Sequence, residues 1–164
     1  MALKRAVSSE LTLYVNRNFP KRFKARKKYR HRVTLGIGGN IGDVARRFHR
    51  LVLFLQRDHR VEVLQTAPIL QNPPFGFKAQ EDFLNSVLEV STSMTPQQLL
   101  RYILHVEQKF GRRRSFPNAP RTLDIDMIFF DALQIKSRHL TLPHPCWQER
   151  ASVLIPLSLL GRCR

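Results

Sequence analysis

Residues 120–131 read Pro-Arg-Thr-Leu-Asp-Ile-Asp-Met-Ile-Phe-Phe-Asp. Between 123 and 130 the run is apolar and rich in strand-forming residues, which predicts a buried strand. Two carboxylates sit inside it. Strand side chains alternate between faces, so Asp124 and Asp126 share one face while Leu123, Ile125 and Met127 take the other. Neighbouring carboxylates on a core strand repel each other and are costly to desolvate. A cation between them removes both penalties, and Mg²⁺ is usually held by one or two carboxylates together with substrate phosphates. Arg121, just upstream, brings a planar fork suited to a phosphate. The plainer alternative is an edge strand whose acids are simply solvated. Any fold for this chain must bury one face of the strand and give the other a counter-charge or water.

At 164 residues the chain makes one domain with a sizeable core. No apolar run approaches the roughly 20 residues that span a membrane, and the N-terminus lacks the pattern of a signal peptide. Two cysteines, Cys146 and Cys163, suggest no disulfide framework and fit a reducing, cytoplasmic setting. The formal charge of +16 calls for an acidic partner: a nucleotide, a nucleic acid or an anionic membrane. That charge is uneven. Residues 1–32 carry 11 Lys or Arg against one acid, Glu10. They are expected to form a flexible basic extension, with nucleic-acid binding and a targeting segment as the other readings. Residues 33–164 form the domain proper.

Within that domain, Val33-Thr34-Leu35-Gly36-Ile37-Gly38 reads as a buried strand, followed by a glycine-rich turn with Asp43 as N-cap. The turn lacks the spacing of a phosphate loop. Val44–Arg57 reads as an amphipathic helix with Val44, Phe48, Leu51 and Leu55 on one stripe. Val61–Thr66 alternates like a strand, 67–80 reads as a long loop, and 83–90 as a third strand. Phe83 and Asn85 share a face of that strand, a pairing that suits a flat heteroaromatic ligand. A partly buried Phe beside a structural Asn is the alternative. Thr95-Pro96 opens a second helix that Gly111 ends. Glu107 sits in its last turn, either paired with a surface base or facing a ligand. Residues 111–121 form a basic loop, rich in Arg, that enters the Asp-x-Asp strand. His144 is held between Pro143 and Pro145, and a closing helix spans 152–160. The order β-α-β-β-α-β predicts an α+β, ferredoxin-like sandwich: an antiparallel sheet with two helices on one face and a C-terminal helical addition.

Gly38-Gly39-Asn40, Phe83-Leu84-Asn85, Glu107 with Gly111-Arg112, Pro120-Arg121-Thr122-Leu123-Asp124-Ile125-Asp126 and Leu142-Pro143-His144 occur in that order. Together they resemble the hydroxymethyl-dihydropterin pyrophosphokinases of the folate pathway, from about residue 33 onward. The resemblance implies a Mg-dependent transfer of pyrophosphate from ATP to 6-hydroxymethyl-7,8-dihydropterin, with AMP leaving. It implies that Asp124 and Asp126 hold two Mg²⁺ ions and act in catalysis with Arg112 and Arg121. Glu107, Arg112, Arg114, Arg121, His144 and Arg150 would bind ATP, and Thr66, Phe83 and Asn85 the pterin. A cytoplasmic monomer is expected, with nucleic acid entering only through residues 1–32 and no fused second enzyme. The alternative is an RNA-binding ferredoxin-like domain, which the acids on the sheet oppose. Three positions depart from the family pattern. Ser152 stands where a stacking aromatic is usual, with Trp147 or Phe116 as replacements. Pro117-Asn118-Ala119 replaces an Arg-Trp-Gly, and His139, beside Arg138, replaces an Arg. The resemblance implies altered pterin affinity rather than loss of the reaction.

Overall fold

A computed structural model describes residues 3–161. Its central strands are the ones the alternation picks out: β4 (His31–Gly39), β5 (Val61–Thr66), β7 (Phe83–Thr92) and β8 (Asp124–Phe130). They lie in the order β5-β7-β4-β8, all antiparallel. Two helices, α1 (Val44–Arg57) and α2 (Pro96–Lys109), cover one face. Phe48, Leu51 and Leu55 of α1 and Leu99, Ile103 and Val106 of α2 meet Leu35, Ile37, Leu88, Val90, Ile125 and Met127 of the sheet. Local chemistry sets where the helices begin and where α2 ends. The Asp43 side chain accepts from Arg46 N at 3.0 Å, Thr95 and Gln98 form a capping box, and Gly111 takes φ +82° after α2. A third helix, α3 (Ala151–Leu159), packs across β7 and the short strand β6 (Ile69–Asn72).

Sequence and structure part in two places. The stretch 67–80 is not all loop: β6 (Ile69–Asn72) pairs with the first residues of β7, while β5 pairs with its last ones. One long strand thus carries two short neighbours on the same edge. The second difference concerns the basic segment, of which residues 3–32 are described. Instead of a solvated extension, β1 (Leu3–Ala6) and β2 (Thr12–Val15) form a hairpin that continues the sheet beyond β6, and β3 (Lys21–Arg22) pairs with β5. Charge repulsion would keep such a segment apart, but its few apolar residues outweigh it. Phe19 is wholly buried against Phe48, with ring centroids 5.9 Å apart. Hence Phe19→Ala should cost about 3 kcal/mol of folding stability, read as a lower urea midpoint at unchanged slope. A solvated extension would leave the midpoint where it was.

Candidate active site

Residues paired across neighbouring strands share a face. Asn85 of β7 pairs with Gly38 of β4, which pairs with Asp124 of β8; Gly36 pairs with Asp126. These residues lie on the face away from α1 and α2, because their sequence neighbours Leu35, Ile37, Ile125 and Met127 are in the helix-side core. The row Asn85–Gly38–Asp124 therefore has an amide at one end, a carboxylate at the other and no side chain between. A Cβ at position 38 would lie 2.4 Å from Asn85 Oδ1 and push that amide aside. Asn85 is oriented by Asn72 at the end of β6, whose Oδ1 accepts from Asn85 Nδ2 at 2.7 Å.

The charged groups form one network. Asp124 is held at both oxygens, with Arg112 Nη1 2.8 Å from Oδ1 and Arg121 Nη1 2.8 Å from Oδ2. Arg112 is gripped from behind by Glu107, at 2.5 Å. The same Glu107 Oε1 accepts the Ile125 backbone N–H at 2.8 Å. Glu107 is 3% exposed, so it anchors Arg112 and β8 from beneath the site. Burial, as the main cause, pushes its carboxyl above the usual range. Asp126 has no ion pair among the described residues. Burial first, and then the Asp124 charge, push its carboxyl up to about 7, against a weaker pull from Arg150. The nearby guanidiniums of Arg150 and Arg112 offset this only in part.

The remaining groups stand around this network. Glu107, Arg112, Arg114, Asp124, Asp126 and His144 line one cleft of about 320 Å³. His144 Nδ1 accepts the Cys146 backbone N–H at 3.3 Å, which leaves Nε2 as the N–H donor. Burial, aided by nearby Arg150, lowers the His144 pKa below its ordinary value. Phe83 is buried, and the Arg121 guanidinium lies 5.2 Å from its ring centroid. Trp147 packs edge-on against Phe129 of β8, and Phe116 edge-on against Phe77, joining the two flanking loops.

Asn40, 8% exposed, ties the loops to the sheet. Its Oδ1 accepts from Arg121 N at 2.9 Å, and its Nδ2 donates to Gln80 Oε1 and to the Glu81 carbonyl. The two loops flanking the site also touch each other, Gln80 Nε2 donating to the Asn118 carbonyl at 2.9 Å.

One residue expected at the site is elsewhere. Thr66 pairs with Leu88, so it faces the helix side, and it is 2% exposed. Its hydroxyl accepts from Lys21 N and donates to the Asn18 carbonyl. Residues 18–21 thus take up the hydrogen bonds of the Thr66 hydroxyl. Asn72 and Asn40 were the ones missed; the Asn72-Pro73-Pro74 run was the available signal for the first.

Residues 34–161 match the family model described as 7,8-dihydro-6-hydroxymethylpterin-pyrophosphokinase. The chain belongs to this family. Among relatives of this pyrophosphokinase family, the 2-amino-4-hydroxy-6-hydroxymethyldihydropteridine pyrophosphokinase of Helicobacter pylori is 37% identical over 149 residues, 90% of this chain and 91% of its own. The Campylobacter jejuni enzyme of the same name is 37% identical over 82% of this chain and 85% of its own. The Bacillus subtilis one is 35% identical over 76% and 74%. An alignment that omits only a tenth of the chain, as the H. pylori one does, must run into residues 1–32.

Proposed function

We infer that this pyrophosphokinase-family protein transfers the terminal pyrophosphoryl group of ATP to 6-hydroxymethyl-7,8-dihydropterin, releasing AMP and forming the pterin diphosphate used in folate synthesis. The observation that carries this reading is the clear floor between Asn85 and the Asp124–Asp126 pair, closed at one side by guanidiniums. A flat ring hydrogen-bonded by Asn85, against Phe83, would present its hydroxymethyl oxygen toward that cationic end. Arg112, Arg114, Arg121, Arg150 and the Nε2–H of His144 would hold the triphosphate and offset the charge that moves onto the leaving oxygen. Glu107 enters as a positioning residue that sets Arg112, rather than as a contact to ATP. The RNA-binding alternative finds no support among the relatives.

The donor set suits Mg²⁺. Asp126 makes no ion pair among the described residues and Asp124 pairs only with the guanidiniums of Arg112 and Arg121, while no group of three or more His, Cys, Asp or Glu converges among the described residues. Substrate oxygens would complete the coordination of two ions held by Asp124 and Asp126. Such ions would neutralise phosphate charge and align the displacement. The strand order β8-β4-β7-β5, with two helices on one face, supports a ferredoxin-like description of residues 33–161. No helix among the described residues is long and apolar enough to cross a membrane. The same reading makes the protein a cytoplasmic monomer, since one chain supplies every group named.

The product tests the reading. With ATP labelled in the γ-phosphate, the pterin should gain two phosphates and carry the label, and the nucleotide product should be AMP. ADP with a singly phosphorylated pterin would overturn it. Gly38→Ala should displace Asn85 and raise the KM for pterin about tenfold, with the KM for ATP unchanged. Equal effects on both substrates would contradict the place assigned to Asn85.

A further inference from the structure

On the other side of the sheet, at the β5 edge, the segment 17–27 and α1 enclose a second cleft of about 550 Å³. Its walls include Arg17, Lys21, Lys24, Arg26 and Lys27, with Phe23, Val52 and Leu53 as apolar surface. None of these five cations makes an ion pair with a carboxylate among the described residues. The one acid that lines the cleft, Glu62, is 4% exposed and spent on the backbone: its two oxygens accept the N–H groups of Arg26 (2.7 Å) and Lys27 (3.1 Å). The lining imidazole, His49, is engaged by Asn18 Nδ2 at 2.6 Å.

The segment is pinned at both ends. Phe19 is buried and Thr66 bonds to Asn18 and Lys21 at one end, and Glu62 holds the other. Like charges free to separate would do so. Here buried groups fix the backbone that carries them around a concavity of the size that takes a small ligand. Lys21 Nζ donates to Asn18 Oδ1 and Lys27 Nζ to the Asp58 carbonyl, while Arg17, Lys24 and Arg26 are exposed on the pinned backbone with no side-chain partner among the described residues. Cations held on a fixed backbone around a cleft favour an anion, and forked guanidiniums favour phosphate. The Asp124–Asp126 pair lies on the opposite face, on the strand at the other end of the order β5-β7-β4-β8.

We propose that this cleft between residues 17–27 and α1 is a second binding site, for a small anion bearing consecutive phosphates. Inorganic polyphosphate and nucleoside polyphosphates share that chemistry.

Backbone amide NMR of the full chain without metal, titrated with sodium tripolyphosphate, tests it. Signals of residues 17–27 should shift saturably, apart from any shifts in the loop 111–121. The triple variant Arg17→Gln/Lys24→Gln/Arg26→Gln should weaken binding at 17–27 at least about tenfold, leave the 111–121 response intact and keep turnover unchanged. Two further titrations separate the sources. Metal-free ATP binding at 17–27 as tightly as tripolyphosphate shows that phosphates alone are read; tighter binding shows that the base adds contacts at Phe23. Shifts confined to 111–121, shifts at 17–27 that survive the triple variant, or a loss of turnover in that variant would overturn the proposal. So would a response at 17–27 to a single-stranded RNA oligonucleotide with none to tripolyphosphate.

Discussion

Asp126→Asn is expected to abolish turnover and, at the same time, to raise the melting temperature of the metal-free protein. The two effects have one cause. The Asp126 carboxyl is pushed up to about 7, from 3.8, chiefly by burial and then by Asp124. A folded-state pKa above the unfolded value means that ionisation opposes folding. The penalty is absent below about pH 4, grows as pH rises toward 7, and is complete above it. An amide of the same shape never ionises, so the stability gain of the variant should follow that pH course. A gain of about 1–2 kcal/mol corresponds to about 2–4 °C per kcal/mol for a chain of this size. The same substitution removes an anionic ligand for a cation beside the phosphates, which should lower turnover by about a thousandfold or more. Calorimetry at pH 4.5 and pH 8, beside a turnover assay, checks both. A variant less stable than the parent at pH 8 would show that Asp126 is held by structure rather than by chemistry.

Glu107→Ala should act in the opposite direction on stability. It removes the acceptor for the buried Ile125 N–H and the anchor of Arg112 together. Breaking a buried pair while leaving one charge behind costs about 3–5 kcal/mol. The melting temperature should therefore fall by about 6–20 °C. Turnover should fall as well, since Arg112 loses the contact that aims it at Asp124. Glu107→Gln keeps an oxygen for Ile125 N and should recover most of the stability but not the turnover. Recovery of both would mean that the charge on Glu107 is irrelevant to Arg112.

These expectations rest on parts of the molecule that differed in how far the sequence revealed them. The Asp-x-Asp strand and its faces were readable because two acids in an apolar run have few physical solutions. The 14-residue helix Val44–Arg57 was readable because its apolar stripe and its N-cap agree. Glu107 was readable as a position and not as a role: only the fold shows that its oxygen lies under Ile125 N. Thr66 was misread because its strand was identified correctly but nothing local says that residues 18–21 would cover it. The segment 1–32 hid its fold behind its charge, since Phe19 alone carries little periodic signal and its partner, Phe48, is 29 residues away. Asn40 and Asn72 act through hydrogen bonds to distant segments, which no short-range pattern records.

The most direct test is AMP formation from ATP and Mg²⁺, followed side by side for the parent protein and Asp126→Ala, with and without hydroxymethyl-dihydropterin. AMP that forms only when the pterin is present, and only in the parent, is the expected result. It would place pyrophosphoryl transfer on the Asp124–Asp126 face of the sheet. AMP formed equally without pterin, or undiminished in the folded Asp126→Ala protein, would contradict that assignment.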